Sequence, residues 1–361
     1  MLKNYTIILC LFGSMLNAQN LTPGFDVEEY LEMLKISVRS VKDSAYESTY
    51  EAPENFHLIY QSDDVGLDNS WDFWRDEHKR AVISIRGTTV KPVSWLENIY
   101  AAMVPAQGVL QLSEDGAPFP YHLADHPNAS IHVGWLIGMA FMADDIVQKM
   151  NDAMLDGVRD FYIMGHSQGG SIAYMLTAYL RYMQKHGNLP SDIHLKTYCS
   201  AAPKPGNLYF AYDYEALTQG GWACNIINAA DWVPEVPMSI QTLDDFNHTN
   251  PFKHADAMIK EQKLSERLVL RHVFNKLDKP TRKAQKNYQK FLGDATEKMI
   301  AKQIKGLQTP EFVSTNNYVR TGNTIVLTPN DDYRTTFPED DKKIFNHHIH
   351  EPYIFLAKLM N

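Results

Sequence analysis

The sequence predicts an α/β protein, a mostly parallel central sheet with helices on both faces. Three observations carry that expectation. Short apolar, β-branched runs alternate with longer stretches of helical period through the middle of the chain, the pattern that yields parallel strands. One of those runs, AVISI at 81–85, is nearly all apolar, as a strand covered on both faces must be. The 361 residues, 44% of them hydrophobic, suffice to bury one large core, and single α/β domains run to roughly 250 residues and beyond.

Composition removes several classes of function. Three Cys, 18 Pro and 19 Gly exclude a disulfide scaffold, a collagen-like chain and general disorder. A formal charge of −9 argues against nucleic acid as a partner, because such proteins need a basic face to displace counterions.

Residues 1–18 (MLKNYTIILCLFGSMLNA) place Lys3 ahead of an apolar run that ends near the small residue Ala18. That run is too short to span about 30 Å of hydrocarbon. It reads as a secretory signal cleaved after Ala18, with an uncleaved anchor as the alternative, and it predicts a secreted or periplasmic protein. The bulky Leu9 before Cys10 speaks against lipoprotein processing. No other stretch is apolar enough to be a transmembrane segment. The remainder, 19–361, reads as a single domain with a loop insertion at 101–131 and a basic helical insertion at 251–310.

Taken in order, Asp26 with Glu29 three residues on has the spacing of a capping box and predicts a helix through Leu31, Leu34 and Ile36. Runs 56–62, 71–75 and 80–86, rich in aromatic and β-branched residues, predict three strands of one sheet. Stretch 101–131, with Pro105, Gly108, Gly116, Pro118, Pro120 and Pro127, reads as loop. A helix follows over Trp135–Met150, then an apolar run at 160–167 and a helix at 170–186 stopped by Gly187 and Pro190. Strand 194–200, helix 208–217 and strand 223–228 continue the alternation. Another strand is expected within 318–329 and a closing helix over Pro352–Leu359.

The insertion at 251–310 interrupts the alternation before the last strand. Its helical period puts Tyr288, Leu292, Ala295 and Met299 on one stripe, and it carries 14 Lys+Arg against 6 Asp+Glu. It reads as a solvated helical hairpin or as a patch that docks on an anionic lipid surface or cell envelope. Cys199 lies late in one expected strand and Cys224 early in the next. At about 3.3 Å per residue, parallel neighbours would hold them beyond the roughly 7 Å a disulfide allows, so two free buried thiols are expected.

Gly165-His166-Ser167-Gln168-Gly169 fits G-x-S-x-G where an apolar strand hands over to a helix. A serine on so sharp a turn needs nearly absent side chains two positions to either side. A serine hydroxyl is a weak nucleophile, so a base and a group that orients the base must follow. In α/β-hydrolases the acid comes after the strand beyond the nucleophile helix, and Asp231 ends the run CNIINAAD there. His347, His348 and His350 precede the closing helix as candidate bases. They could also ligate metal, but no Cys and no acidic residue at helical spacing completes a site. Backbone N–H groups must meet the developing oxyanion. Gln168, first in its helix, offers one, and Arg86-Gly87-Thr88 ends an earlier strand where the second should lie.

With these pieces in order, the chain resembles the class 3 lipase family of α/β-hydrolases, which includes the fungal triacylglycerol lipases. The residues that carry the resemblance are Arg86-Gly87-Thr88, SWLENI around Trp95, His132-Val133-Gly134-Trp135, GHSQGG, AAPKPGN at 201–207 and DWVPEVP from Asp231, over a stretch from about residue 56 to the C-terminus. The resemblance implies the α/β-hydrolase fold, Ser167 as nucleophile, Asp231 as orienting acid, a terminal His as base, and Thr88 with Gln168 as oxyanion hole. His348 ranks first as base because Tyr353 stands five positions on, with His350 the alternative. It also implies a lid over Thr89–Tyr100, where the stripe Trp95, Leu96, Ile99, Tyr100 and Met103 reads equally as ordinary core.

The chemistry so implied is hydrolysis of an ester or lipid substrate at a lipid–water interface, through an acyl-enzyme and with neither metal nor organic cofactor. A phospholipase, a feruloyl-type esterase and a polyester hydrolase share the fold. The rival from another class is a binding protein that keeps the fold without the chemistry.

Overall fold

The computed structural model describes residues 21–360. The expected signal segment, residues 1–18 with Cys10 and the cleavage point at Ala18, lies outside them.

Seven strands form the central sheet: β1 (His57–Gln61), β2 (Trp71–Arg75), β3 (Arg80–Ile85), β4 (Asp160–His166), β5 (His194–Ser200), β6 (Ala223–Asn228) and β7 (Asn323–Leu327). Their order across the sheet is their order along the chain. The first three run antiparallel, and every step from β3 to β7 is parallel. The principal helices are α1 (Val27–Arg39), α2 (Pro92–Ile99), α3 (Val133–Leu155), α4 (Gln168–Lys185), α5 (Leu208–Leu217), α6 (Leu264–Gln289), α7 (Ala295–Gln303) and α8 (His350–Lys358).

The pleat sends alternate residues to opposite faces, and both faces are covered. Ala81, Ile83, Ile85, Phe161, Ile163 and Leu195 pack in one core with Leu136 of α3, Leu176 of α4 and Phe210 of α5. Val82, Tyr162, Met164, Tyr198, Ile226 and Leu327 pack in the other with Tyr30 and Leu34 of α1 and Leu356 of α8. This is the mostly parallel sheet covered on both faces that the alternation predicts, and the α/β-hydrolase architecture that the resemblance implies, with the helical insertion between β6 and β7.

The capping box at α1 is half realised. The Asp26 side chain accepts the Glu29 N–H at 2.8 Å, while the Glu29 carboxylate turns inward to accept from Tyr162 and pair with the buried Lys196. Cys199 and Cys224 are free and buried, but not for the expected reason. Cys224 stands beside Tyr198 and Asn225 beside Cys199, so the two thiols are one register step apart, not distant along the strands. They stay unpaired because consecutive positions leave the sheet on opposite faces: Cys199 joins the first core and Cys224 the second.

Stretch 101–131 is not the plain loop expected. It holds four short strands, Met103–Pro105, Gln107–Leu110, Phe119–His122 and Ser130–His132. The second and third pair as a two-stranded ribbon, and the outer two pair with each other. Strands of three or four residues carry no readable period, and a two-stranded ribbon is all edge, where Pro120 costs no ladder bond.

The insertion also departs from expectation. α6 and α7 are joined through a π-helical turn, Lys290–Asp294, into one long rod, and the hairpin is confined to a short helix, Ala255–Lys260, that turns back against the start of α6, where Arg271 pairs with Asp256. That turn takes in one extra residue and rotates everything after it. Tyr288 is buried and Leu292 partly so, as the stripe requires, but Ala295 and Met299 are exposed, and Thr296, Ile300 and Ile304 are buried in their place. The rod is therefore not simply solvated: Ile300 and Ile304 enter the main core, and Tyr288 packs with Ala101, Met103 and Tyr318.

Candidate active site

Ser167 sits between the last residue of β4 and the first of α4, at φ 59° and ψ −131°. The turn holds because Ser167 N–H donates to the Ser200 carbonyl of β5 at 2.9 Å and its own carbonyl accepts from Gly170 at 2.9 Å. A Cβ on Gly165 would run into the Gly169 carbonyl, and one on Gly169 into the Ile85 carbonyl of β3. The two glycines thus let strand, turn and neighbouring strand close on one another, as the motif requires.

Ser167 Oγ lies 2.8 Å from His348 Nε2, and His348 Nδ1 lies 2.7 Å from Asp231 Oδ2. A carboxylate only accepts, so Nδ1 carries the proton and Nε2 is free to accept from the serine hydroxyl. Asp231 follows β6 and is buried. Its Oδ2 also accepts from Tyr353 at 2.8 Å, and its Oδ1 accepts the Val233 N–H at 2.9 Å. Burial and the Asp231 charge push the Tyr353 phenol well above its ordinary value, so it stays a donor.

The other two histidines go elsewhere. His347 Nδ1 meets the Tyr333 hydroxyl at 2.8 Å. His350 starts α8, contacts Tyr46 at 2.9 Å and Ser37 at 3.1 Å, and does not reach Asp231. It stacks on His166 with ring centroids 4.2 Å apart. His166 Nε2 donates to the His348 carbonyl at 2.7 Å, so its Nδ1 is left to accept from Ser200 at 3.1 Å. Burial above all drives His166 well below the ordinary histidine value and lowers His350 to about 3, so both rings are neutral. This layer fixes the backbone of His348 from behind.

On the other side of Ser167, the Gln168 N–H belongs to the first turn of α4, where amides lack an intrahelical acceptor. Thr88 Oγ1 donates to Gln168 Oε1 at 2.8 Å. Asn98 of α2 is the hub between them: its Nδ2 donates to both oxygens at 2.9 Å, and its Oδ1 accepts from Trp135 Nε1 at 2.9 Å. Next to it, Glu97 is fully buried, accepts from Asn69 at 2.7 Å, and is pushed up to about 8 by burial. Asn98 and His166 stand inside the stretches SWLENI and GHSQGG and Tyr353 marked His348 by its spacing, but the contacts each makes were not readable, because their partners are remote in the chain.

The hydroxyl of Ser167 and the ring of His348 line a cavity of about 1060 Å³, whose other walls include Trp95, Ile99, Trp232, Met238, Tyr288, Leu292 and Phe345. α2 divides between the two readings of its stripe. Leu96 is buried, as are Tyr100 and Met103 beyond the helix, whereas Trp95 and Ile99 are 40% and 48% exposed and line the cavity. Phe345 bridges the opening, with its ring 5.9 Å from Trp95 and 5.6 Å from Trp232.

The family model for lipase (class 3) matches residues 82–240. Residues 82–240 belong to the class 3 lipase family. The lipase segment is shorter than the resemblance from residue 56 to the C-terminus. It runs from β3 past Asp231, so Thr88, Ser167, Gln168 and Asp231 fall inside it and His348 and the basic insertion outside. Solved structures similar to the chain include the Rhizomucor miehei lipase propeptide complex, 20% identical with a TM-score of 0.42 over 59% of this chain and 63% of that one. The lipase from Rhizopus microsporus var. chinensis is 20% identical with a TM-score of 0.41 over 58% and 69%. Lipase II from Rhizopus niveus is 18% identical with a TM-score of 0.42 over 59% and 75%. The chain thus spans 63% of the length of the Rhizomucor miehei protein. No curated protein matches the chain significantly.

Proposed function

We propose that the chain is a secreted serine carboxylester hydrolase, a lipase acting on acylglycerols through Ser167, His348 and Asp231. The observation that carries the reading is the unbroken line from Ser167 Oγ to His348 Nε2, 2.8 Å, and from His348 Nδ1 to Asp231 Oδ2, 2.7 Å, on the wall of a cavity lined largely by apolar side chains. Secretion rests on the signal-like residues 1–18. No helix among the described residues is long and apolar enough to cross a membrane.

In this reading Ser167 attacks the ester carbonyl while His348 takes its proton, and Asp231 holds the ring in the productive tautomer. The oxyanion is met by the N–H groups of Gln168 and Thr88, two residues whose side chains Asn98 ties together. His348 then protonates the leaving alcohol, and water enters by the same route to release the acid. The neutral rings of His166 and His350 behind the base keep a second positive charge away from the imidazolium as it forms. Hydrolysis of nitrophenyl esters and triglycerides of rising chain length tests the reading. Ser167→Ala should abolish turnover throughout, and long chains should be preferred. Retained turnover in Ser167→Ala would refute the assignment, and a strict acetate preference would replace lipase by esterase.

A further inference from the structure

α6 is turned inside out for a soluble helix. Much of the side it gives to the protein is polar: Arg282 pairs with Asp278 at 2.8 Å and with Asp244 of the body at 2.5 Å, and Gln285 is buried, with Tyr288 the buried aromatic of its last turn. Its solvent side carries Val269, Leu270, Val273, Leu277 and Ala284, which fall on one stripe at helical spacing. The four larger ones are 64%, 44%, 50% and 69% exposed. Lys276, Lys279 and Lys283 are exposed and flank that stripe along one side. A surface helix whose apolar stripe faces water over four turns is a docking element.

The charge selects the occupant. Residues 251–310 carry 14 Lys+Arg against 6 Asp+Glu within a chain of net charge −9. A second copy meeting the first by this same face would bring an equal positive excess against it, whereas an anionic lipid surface offers hydrocarbon for the stripe and phosphates for the lysine row. The same helix ends at the cavity, where Tyr288 and then Leu292 line the wall beside the Ser167 opening. We propose that the outer stripe of α6 lies in the surface of an anionic lipid layer and brings the cavity to substrate held there. This deepens the lipase reading and rests on it for its purpose.

Flotation of the full chain with vesicles tests the proposal, using phosphatidylcholine alone and phosphatidylcholine mixed with phosphatidylglycerol. Binding is expected to the mixed vesicles only, weakening as salt is added. Leu270→Glu with Leu277→Glu should lower it roughly tenfold or more, and Lys276→Glu with Lys283→Glu should do likewise. All four positions are exposed, so hydrolysis of a soluble short-chain ester should be unchanged in both variants. Equal binding to neutral vesicles, no binding, or full binding by the leucine variant would overturn the proposal. So would self-association in sedimentation that the leucine variant abolishes without any vesicle binding. No vesicle binding by the unsubstituted chain, with its ester hydrolysis intact, sinks the docking surface alone. Vesicle binding with no ester hydrolysis sinks the enzyme reading alone.

Discussion

Ser167 holds a conformation that costs a non-glycine residue about 1–3 kcal/mol, offset by two backbone hydrogen bonds that tie the turn to β5 and α4. Its partners are graded by what they hold. Tyr353 supplies one of the two hydrogen bonds that keep the Asp231 carboxylate facing His348 besides the imidazole itself. Tyr353→Phe should therefore lower kcat/KM by roughly tenfold, the effect of a charge-assisted bond of about 1.5 kcal/mol, with the remaining Val233 N–H preventing a larger loss. Asn98 ties both oxyanion residues, so Asn98→Ala should lower kcat by roughly 10- to 100-fold and leave KM for a short ester nearly unchanged. Steady-state kinetics on nitrophenyl esters checks both. The places of Ser167 and Asp231, the proposed nucleophile and acid, were legible because both follow strand ends marked by turn residues. His348 and His350 lie two residues apart and differ in the fold alone: one ends a loop beside Asp231, the other starts α8 and stacks on His166. The Asn98 hub was invisible because its partners lie 10 and 70 residues away.

Among the elements, strand 194–200, helix 208–217 and strand 223–228 fall where their periods and flanking turns place them. Each is long enough to show a period. The four strands within 103–132 are too short for that, and the π turn at Lys290–Asp294 changes the helical phase by a device no hydrophobic pattern announces. β3 and the start of α4 fit closely, since a Cβ on Gly169 would fall 2.2 Å from the Ile85 carbonyl oxygen. Gly169→Ala should cost about 3 kcal/mol or prevent folding, read as a lowered midpoint in denaturant unfolding. Phe345 is the bridge between α2 and the segment after β6. Phe345→Ala should change the chain-length preference more than short-ester turnover, because it widens the mouth, while its ring packs beside that of His348 with centroids 5.9 Å apart.

For the whole molecule, buried titratable groups of opposite type set a stability window. His350 is held down to about 3 from 6.5, so it takes up a proton when the chain unfolds in acid. Its contribution is complete above about pH 6.5 and lost as pH falls toward 3. His132, also lowered to about 3 by burial, acts in the same direction. Glu97, raised to about 8 from 4.5, contributes fully below about pH 4.5 and loses that contribution as pH rises through 8. The sum of these groups places maximum stability near neutrality, about pH 6.5, with slopes of up to about 1.4 kcal/mol per pH unit for each group. Glu97→Gln should raise stability near pH 8 and make little difference near pH 5, in denaturant titrations run across that range.

The claim on which the account depends is that Ser167 is a nucleophile activated by His348. Treatment of the chain with a fluorophosphonate, followed by mass spectrometry of its peptides, tests it most directly. The account predicts one adduct, on Ser167, absent in Ser167→Ala and formed at least roughly a hundredfold more slowly in His348→Ala. An adduct on another residue, or labelling of Ser167 at an undiminished rate without His348, would contradict it.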